Sequence, residues 1–107
     1  MLEIDEIYRE LSSLGAVQSG RRLGEIMNRS ESYLSSSKSR GRRPSVEALL
    51  ALILNIDGIV EATIDEIKNC NEKGLLSEYE QGIKGLRALE IKAWADVWAR
   101  VEAGRNS

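Results

Sequence analysis

Basic side chains are concentrated in one stretch of this 107-residue sequence, from Gln18 to Ser45. The stretch holds seven of the fifteen basic residues and two of the seventeen acidic ones, so its net charge is +5 in a chain whose total is −2. Guanidinium and ammonium groups bind phosphate oxygens. A compact basic block in an otherwise acidic chain therefore predicts a surface that binds a polyanion. Its basic residues are Arg21, Arg22, Arg29, Lys38, Arg40, Arg42 and Arg43.

The residue types needed for catalysis or metal binding are scarce. The sequence has no histidine, no phosphate-loop pattern and no nucleophile paired with a base, so we expect no enzymatic activity, no metal and no cofactor. Cys70 is the only cysteine, which excludes an intramolecular disulfide. Neither a signal peptide nor an apolar run of membrane-spanning length is present. We therefore expect a soluble, cytoplasmic protein that does not bind membranes.

Helices are predicted to position the basic block. Apolar residues recur at steps of three and four rather than two, which predicts an all-α fold. We expect residues 1–68 to form a compact helix-turn-helix domain of four to five helices. Residues 69–107 are expected to add a loop and a long C-terminal helix, a possible dimerisation element. The first helix is predicted over Leu2–Leu14, with Gly15 as its C-cap.

Within the basic block, a second helix is predicted to begin after Ser19, which is a good N-cap residue. Its inner face would be formed by three apolar residues, Leu23, Ile26 and Met27. Gly24 lowers the helix propensity of this segment, so its presence inside a helix needs an explanation. Close approach of a neighbouring helix would explain it. Asn28 tolerates the left-handed conformation, so Met27–Arg29 is predicted to be the turn.

The third helix is predicted over Glu31–Ser39, so the helix-turn-helix proper spans residues 19–39. Six of the ten residues from 30 to 39 are serine, and only Tyr33 and Leu34 offer a large apolar area for packing. Short hydroxylated side chains allow a helix to approach a DNA groove closely and can bond phosphates or base edges. The alternative interpretation is a serine-rich connector that lies in solvent.

Two further helices are predicted after the basic block. Pro44 or Ser45 begins a helix whose first part, Val46–Ile56, is apolar on nearly all sides and is therefore expected to be central. The pair Asp57-Gly58 leaves open whether this is one bent helix or two as far as residue 68. After a loop over residues 69–74, Ser77 with Glu80 forms a capping box for a last helix that ends near residue 103.

The last helix carries an aromatic pair one turn apart, Trp94 and Trp98, flanked by Val97 and Val101. Tryptophans at this spacing are often core residues. A compact helix-turn-helix domain, however, has little surface left to bury so long an apolar stripe. The alternative is that these four residues form a homodimer seam or bind another protein.

The block and its flanks resemble the helix-turn-helix of the Cro/CI-like (XRE-type) DNA-binding family. The resemblance covers about residues 1–56 and is carried by a few short segments. These are Leu23-Gly24, Asn28-Arg29-Ser30, Tyr33-Leu34-Ser35 and Gly41-Arg42-Arg43-Pro44-Ser45. One departure is Gly20, which stands where the family usually has a glutamine that contacts the DNA backbone.

The resemblance implies that the start of the third helix enters the major groove. Base-reading residues would then be Glu31, Ser32, Ser35 and Ser36. Phosphate contacts would come from Ser19, Arg21, Arg22, Arg29, Lys38, Arg40, Arg42 and Arg43. Two of these assignments have plain alternatives. The alternative role of Glu31 is to stabilise the third helix through a favourable interaction with the helix dipole. The alternative for Arg42 and Arg43 is a solvated basic loop.

We therefore expect a sequence-specific transcriptional regulator that binds double-stranded DNA as a homodimer. The alternative is an adaptor or anti-activator that keeps the helix-turn-helix scaffold and binds a protein partner through the helix of Trp94 and Trp98. Fold alone does not separate the two.

Overall fold

Five helices form the described part of the protein. The computed structural model describes residues 2–38 and 43–105, apart from the side chains of residues 37 and 38. The helices are α1 (Ile4–Ser13), α2 (Gly20–Ile26), α3 (Tyr33–Lys38), α4 (Val46–Lys68) and α5 (Lys73–Arg105). No strand occurs among the described residues, so the all-α prediction is confirmed. None of the described helices is both long enough and apolar enough to cross a membrane.

One apolar core joins the first four helices to the last one. Its fully buried side chains include Ile7 and Leu11 of α1, Leu23 of α2, Leu52 of α4 and Leu89 of α5. The sequence predicts a domain boundary at residue 68, between the first four helices and the C-terminal helix. In the structure, the part of α5 from residue 86 to residue 97 instead completes the core of the helices before it.

The two long helices form a hairpin. Four residues, 69–72, connect α4 to α5, and so short a connection makes neighbouring helices antiparallel. At about 1.5 Å per residue, the 33 residues of α5 are about 50 Å long, which accounts for the longest dimension of the molecule, 53 Å. The last buried residue of α4 is Val60 and the first of α5 is Leu86. The tip of the hairpin therefore projects beyond the core.

Helix α4 is continuous through Asp57 and Gly58, so residues 46–68 form one helix rather than two. Ile56 and Val60 on either side are both buried on the same core, so packing holds the helix together across the glycine. Ser45 is its N-cap, and its hydroxyl accepts a hydrogen bond from the amide of Ala48 at 3.1 Å. The predicted start of this helix is confirmed.

The predicted start of α5 is wrong. The helix begins at Lys73, so Ser77 and Glu80 lie inside it and do not form a capping box. The Leu76 amide already donates to the Glu72 carbonyl at 3.0 Å. Leu76 lies in this extra turn and is half-buried.

Candidate nucleic-acid interface

The connection between α2 and α3 is longer than predicted, and the predicted end of α3 at Ser39 lies outside the described residues. Residues 27–32 are non-helical, so α3 begins at Tyr33 rather than Glu31. Asn28 has a φ of 56°, which confirms the left-handed position in the turn. The hydroxyls of Ser35 and Ser36 donate to the backbone carbonyl of Ser32 at 3.1 and 2.8 Å. Side-chain bonds of this kind compete with backbone ones, which is why serine is a weak helix former.

Gly24 is the point at which α2 meets this connection. A Cβ at Gly24 would overlap the carbonyl oxygen of Ser30 and would lie 3.1 Å from that of Arg29. The Arg29 amide donates to the Gly24 carbonyl at 2.6 Å. The sequence predicted a close approach at this glycine, but the approaching group is the backbone of the turn and not a neighbouring helix.

A surface groove brings together the start of α2 and the start of α3. Ser19 is the N-cap residue of α2, as predicted, but its side chain makes no capping hydrogen bond. Both Glu31 and Ser32 lie in the turn before α3 and are exposed, as are Ser35 and Ser36 within α3. The groove is lined by Ser19, Gly20, Arg21, Glu31, Ser32, Leu34 and Ser35. Three predicted base-reading residues and two predicted phosphate contacts therefore line one concave surface.

The serines of α3 have a defined hydrogen-bonding capacity. A hydroxyl has one proton and two lone pairs. Since Ser35 directs its proton to the Ser32 carbonyl, its oxygen is set up to accept. An exposed acceptor at Ser35 matches the amino groups that cytosine and adenine present in the major groove.

The predicted phosphate contacts differ in how they are held. Arg21 and Arg22 are exposed on α2, and Arg22 pairs with Glu25 at 2.9 Å. Arg29 is tied to the start of α4, where it donates to the Ser45 hydroxyl at 2.7 Å. The side chain of Lys38 and the residues Arg40 and Arg42 lie outside the described part of the chain.

Tyr33 is half-buried beneath this surface. Burial raises the pKa of its hydroxyl above the ordinary value, and the positive charges of Arg29 and Arg100 oppose that rise, as does a hydrogen bond with Arg29. The Tyr33 hydroxyl is therefore influenced by one guanidinium group from the turn and by one from α5.

Arg43 is bound to a residue that sequence reasoning missed. Its Nη2 lies 3.3 Å from Oδ1 of Asp96, whose side chain is 2% exposed. The same oxygen accepts from Nε of Arg100 at 3.0 Å. A signal was present in the sequence, because Asp96 falls on the apolar stripe of α5 that includes Leu89 and Ala93. An acid on a buried stripe requires a partner.

Sequence comparison places all five helices in one family. The chain belongs to the family of unknown function DUF6626, whose family model matches residues 4–103. No curated protein and no solved structure matches the chain. The match begins at the first residue of α1 and ends two residues before the end of α5. The DUF6626 unit therefore includes the long hairpin of α4 and α5 as well as α1, α2 and α3.

A second surface of this DUF6626 chain is apolar. The rings of Trp94 and Trp98 stack with centroids 6.3 Å apart, and the two side chains are 38% and 58% exposed. Beside them, α4 contributes Leu50 and Leu54, which line a groove that reaches Trp94. We name Leu50, Leu54, Ile91, Trp94, Trp98 and Val101 the tryptophan face; each is at least 38% exposed.

Val97 does not belong to the tryptophan face. It is 5% exposed and packs in the core, so the predicted interface set of four residues loses one member. The helical turn places residue 97 about 100° from residue 98, and this rotation directs Val97 inward.

Next to the tryptophan face, Arg87 forms ion pairs with both Asp57 and Glu90, at 3.0 and 2.8 Å. These bonds raise the pKa of Arg87 above its ordinary value.

Proposed function

We propose that this chain is a non-catalytic, sequence-specific DNA-binding regulator that reads the major groove with the turn and helix of residues 31–38. The groove between α2 and α3 carries the proposal, because exposed hydroxyls, a carboxylate and an arginine line it together. Base edges are read by groups of this kind, while nearby arginines hold the phosphates. In this mode, Ser35 accepts from a base amino group, and Arg21 and Arg22 contact the backbone.

The experiment that tests this proposal is the selection of bound duplexes from a random DNA pool at two salt concentrations. A specific reader enriches one sequence at both concentrations. A basic surface without sequence specificity binds more tightly at low salt but enriches no sequence. A chain that does not bind DNA retains no duplex at either salt concentration. Either of the last two results would refute the proposal.

A variant pair locates the reading surface. Ser35→Tyr adds a bulky ring to the exposed side of α3 and should abolish enrichment of the selected sequence. Ser77→Tyr makes the same change at an exposed position of α5 and should retain it. If Ser35→Tyr selects the same sequence with the same affinity, the assignment of α3 as the reading helix is wrong.

We propose further that the regulator is a homodimer formed through the tryptophan face. Side chains as apolar as Leu54 and Ile91 are 73% and 68% exposed, and a contiguous apolar patch of this kind is typical of an interaction site. Trp98→Glu should lower the mass measured by sedimentation at micromolar concentration to that of one chain. The same face supports the alternative function, an adaptor for another protein. A wild-type protein that is monomeric and selects no DNA would favour that alternative.

A further inference from the structure

Asp96 is the only charged residue of the described chain that is buried. Its carboxylate accepts hydrogen bonds from three separate parts of the chain. Oδ2 accepts from the Leu2 amide at 3.2 Å, and Oδ1 accepts from Arg100 at 3.0 Å and from Arg43 at 3.3 Å. A buried carboxylate is tolerated only when it is paired and hydrogen-bonded. Asp96 therefore ties the N-terminus, α5 and the segment that leads into α4 to one point.

The charge at this point is not balanced. One carboxylate lies between two guanidinium groups, which leaves one net positive charge. The Arg100 side chain is 25% exposed and that of Arg43 is 38% exposed. Arg43 is therefore the more accessible of the two cations. An arginine has five N–H donors in a rigid fork, and the bond to Asp96 is made by Nη2.

Arg43 also has a defined place along the chain. It follows α3 near the end of the basic block and stands two residues before Ser45, the N-cap of α4. An unpaired arginine on an extended segment would sample many rotamers, and fixing it on binding would cost entropy. The contact with a buried carboxylate removes that cost before DNA arrives.

We propose that Asp96 is a positioning residue for DNA binding: its buried carboxylate holds the Arg43 guanidinium in an orientation in which the outer donors meet a backbone phosphate. The inference rests on the proposed DNA-binding function. It assigns a part in DNA binding to α5, which lies outside the helix-turn-helix.

The test compares Asp96→Asn with Glu102→Gln in the full chain. Glu102 is exposed on the same helix and pairs with Arg105 at 3.5 Å, so its variant removes the same charge without touching Arg43. With the duplex selected by the wild type, Asp96→Asn should weaken binding about tenfold, the effect of one charged hydrogen bond. The slope of log affinity against log salt should fall by about 0.9, the value for one phosphate contact. Glu102→Gln should change neither quantity.

Arg43→Ala and the double variant complete a cycle. If Asp96 acts through Arg43, the double variant should bind DNA with the same affinity as whichever of the two single variants binds less tightly. Additive losses would overturn the proposal. So would an unchanged salt slope in folded Asp96→Asn, or a steeper one, since a steeper slope would mean that Asp96 holds Arg43 away from the phosphates.

Arg43→Lys keeps the proposal testable if Asp96→Asn does not fold. Lysine keeps the charge but has no fork with which to bridge a carboxylate and a phosphate. Arg43→Lys should therefore bind nearly as weakly as Arg43→Ala, and wild-type affinity would refute the bridging role.

The failure of this inference differs from a failure of the proposed function. Urea unfolding of Arg43→Ala, Asp96→Asn and the double variant measures whether the pair exists in solution, without any DNA. If the stabilities are coupled but no duplex is selected, the proposed function fails and the positioning role fails with it. If a duplex is selected and Asp96→Asn binds it like the wild type, only the positioning role fails.

Discussion

Gly24→Ala should destabilise the protein even though alanine is the better helix former. In an open helix the exchange would stabilise by about 1 kcal/mol. At this position the new methyl group meets the backbone carbonyls of Ser30 and Arg29, which cannot rotate away as a side chain can. Overpacking by one methyl group costs up to about 3 kcal/mol. The expected net loss is therefore about 2 kcal/mol, which lowers the Tm of a domain of this size by about 10 °C.

Urea unfolding followed by far-ultraviolet circular dichroism measures this loss, and Gly58→Ala is the matched control. Gly58 lies in α4 with no atom within 4 Å of the added methyl group, so its variant should gain about 0.5–1 kcal/mol. The two glycine variants should therefore differ by about 3 kcal/mol, with opposite signs. If Gly24→Ala is as stable as Gly58→Ala, the close approach of the turn to α2 does not exist in solution.

Two further predictions concern the core and the pH dependence. Leu89→Ala removes a side chain that is 2% exposed and should cost about 2–5 kcal/mol in urea unfolding; a loss below about 1 kcal/mol would mean that α5 is not part of the domain core. Burial raises the pKa of Tyr33 in the folded state, so its contribution is complete below about pH 10 and is lost as pH rises through the folded pKa. Tyr33→Phe should therefore lose less stability than the wild type between about pH 9 and pH 11; equal losses would refute this assignment.

Local signals in the sequence predicted much of the fold. The left-handed Asn28, the Ser45 cap and the end of α1 before Gly15, whose φ is 74°, depend on residues within one turn of each other. Backbone preferences of single residues decide such features. The capping box at Ser77 is a local signal that failed, because the helix already begins at Lys73 and Ser77 lies inside it.

The candidate site divides in the same way. Residue types and their spacing were enough to predict the basic block, and the family resemblance implied an outward position for Ser35 and Ser36, which are exposed in the structure. They could not predict that Arg29 bonds Ser45, 16 positions away, or that Arg43 bonds Asp96, 53 positions away. Such pairs depend on how α3, α4 and α5 cross, and periodicity within one helix contains no information about crossing.

The sequence by itself determined the all-α class, the helical faces and the concentration of positive charge in Gln18–Ser45. Each of these follows from the chemistry of residues that are near one another in the chain. Only the tertiary structure decided which arginines face solvent and which are held by a buried carboxylate. It also decided that Val97 turns inward while Trp98 remains 58% exposed. The physical reason is that burial and ion pairing depend on neighbours supplied by other helices, and their positions are set by packing of the whole core.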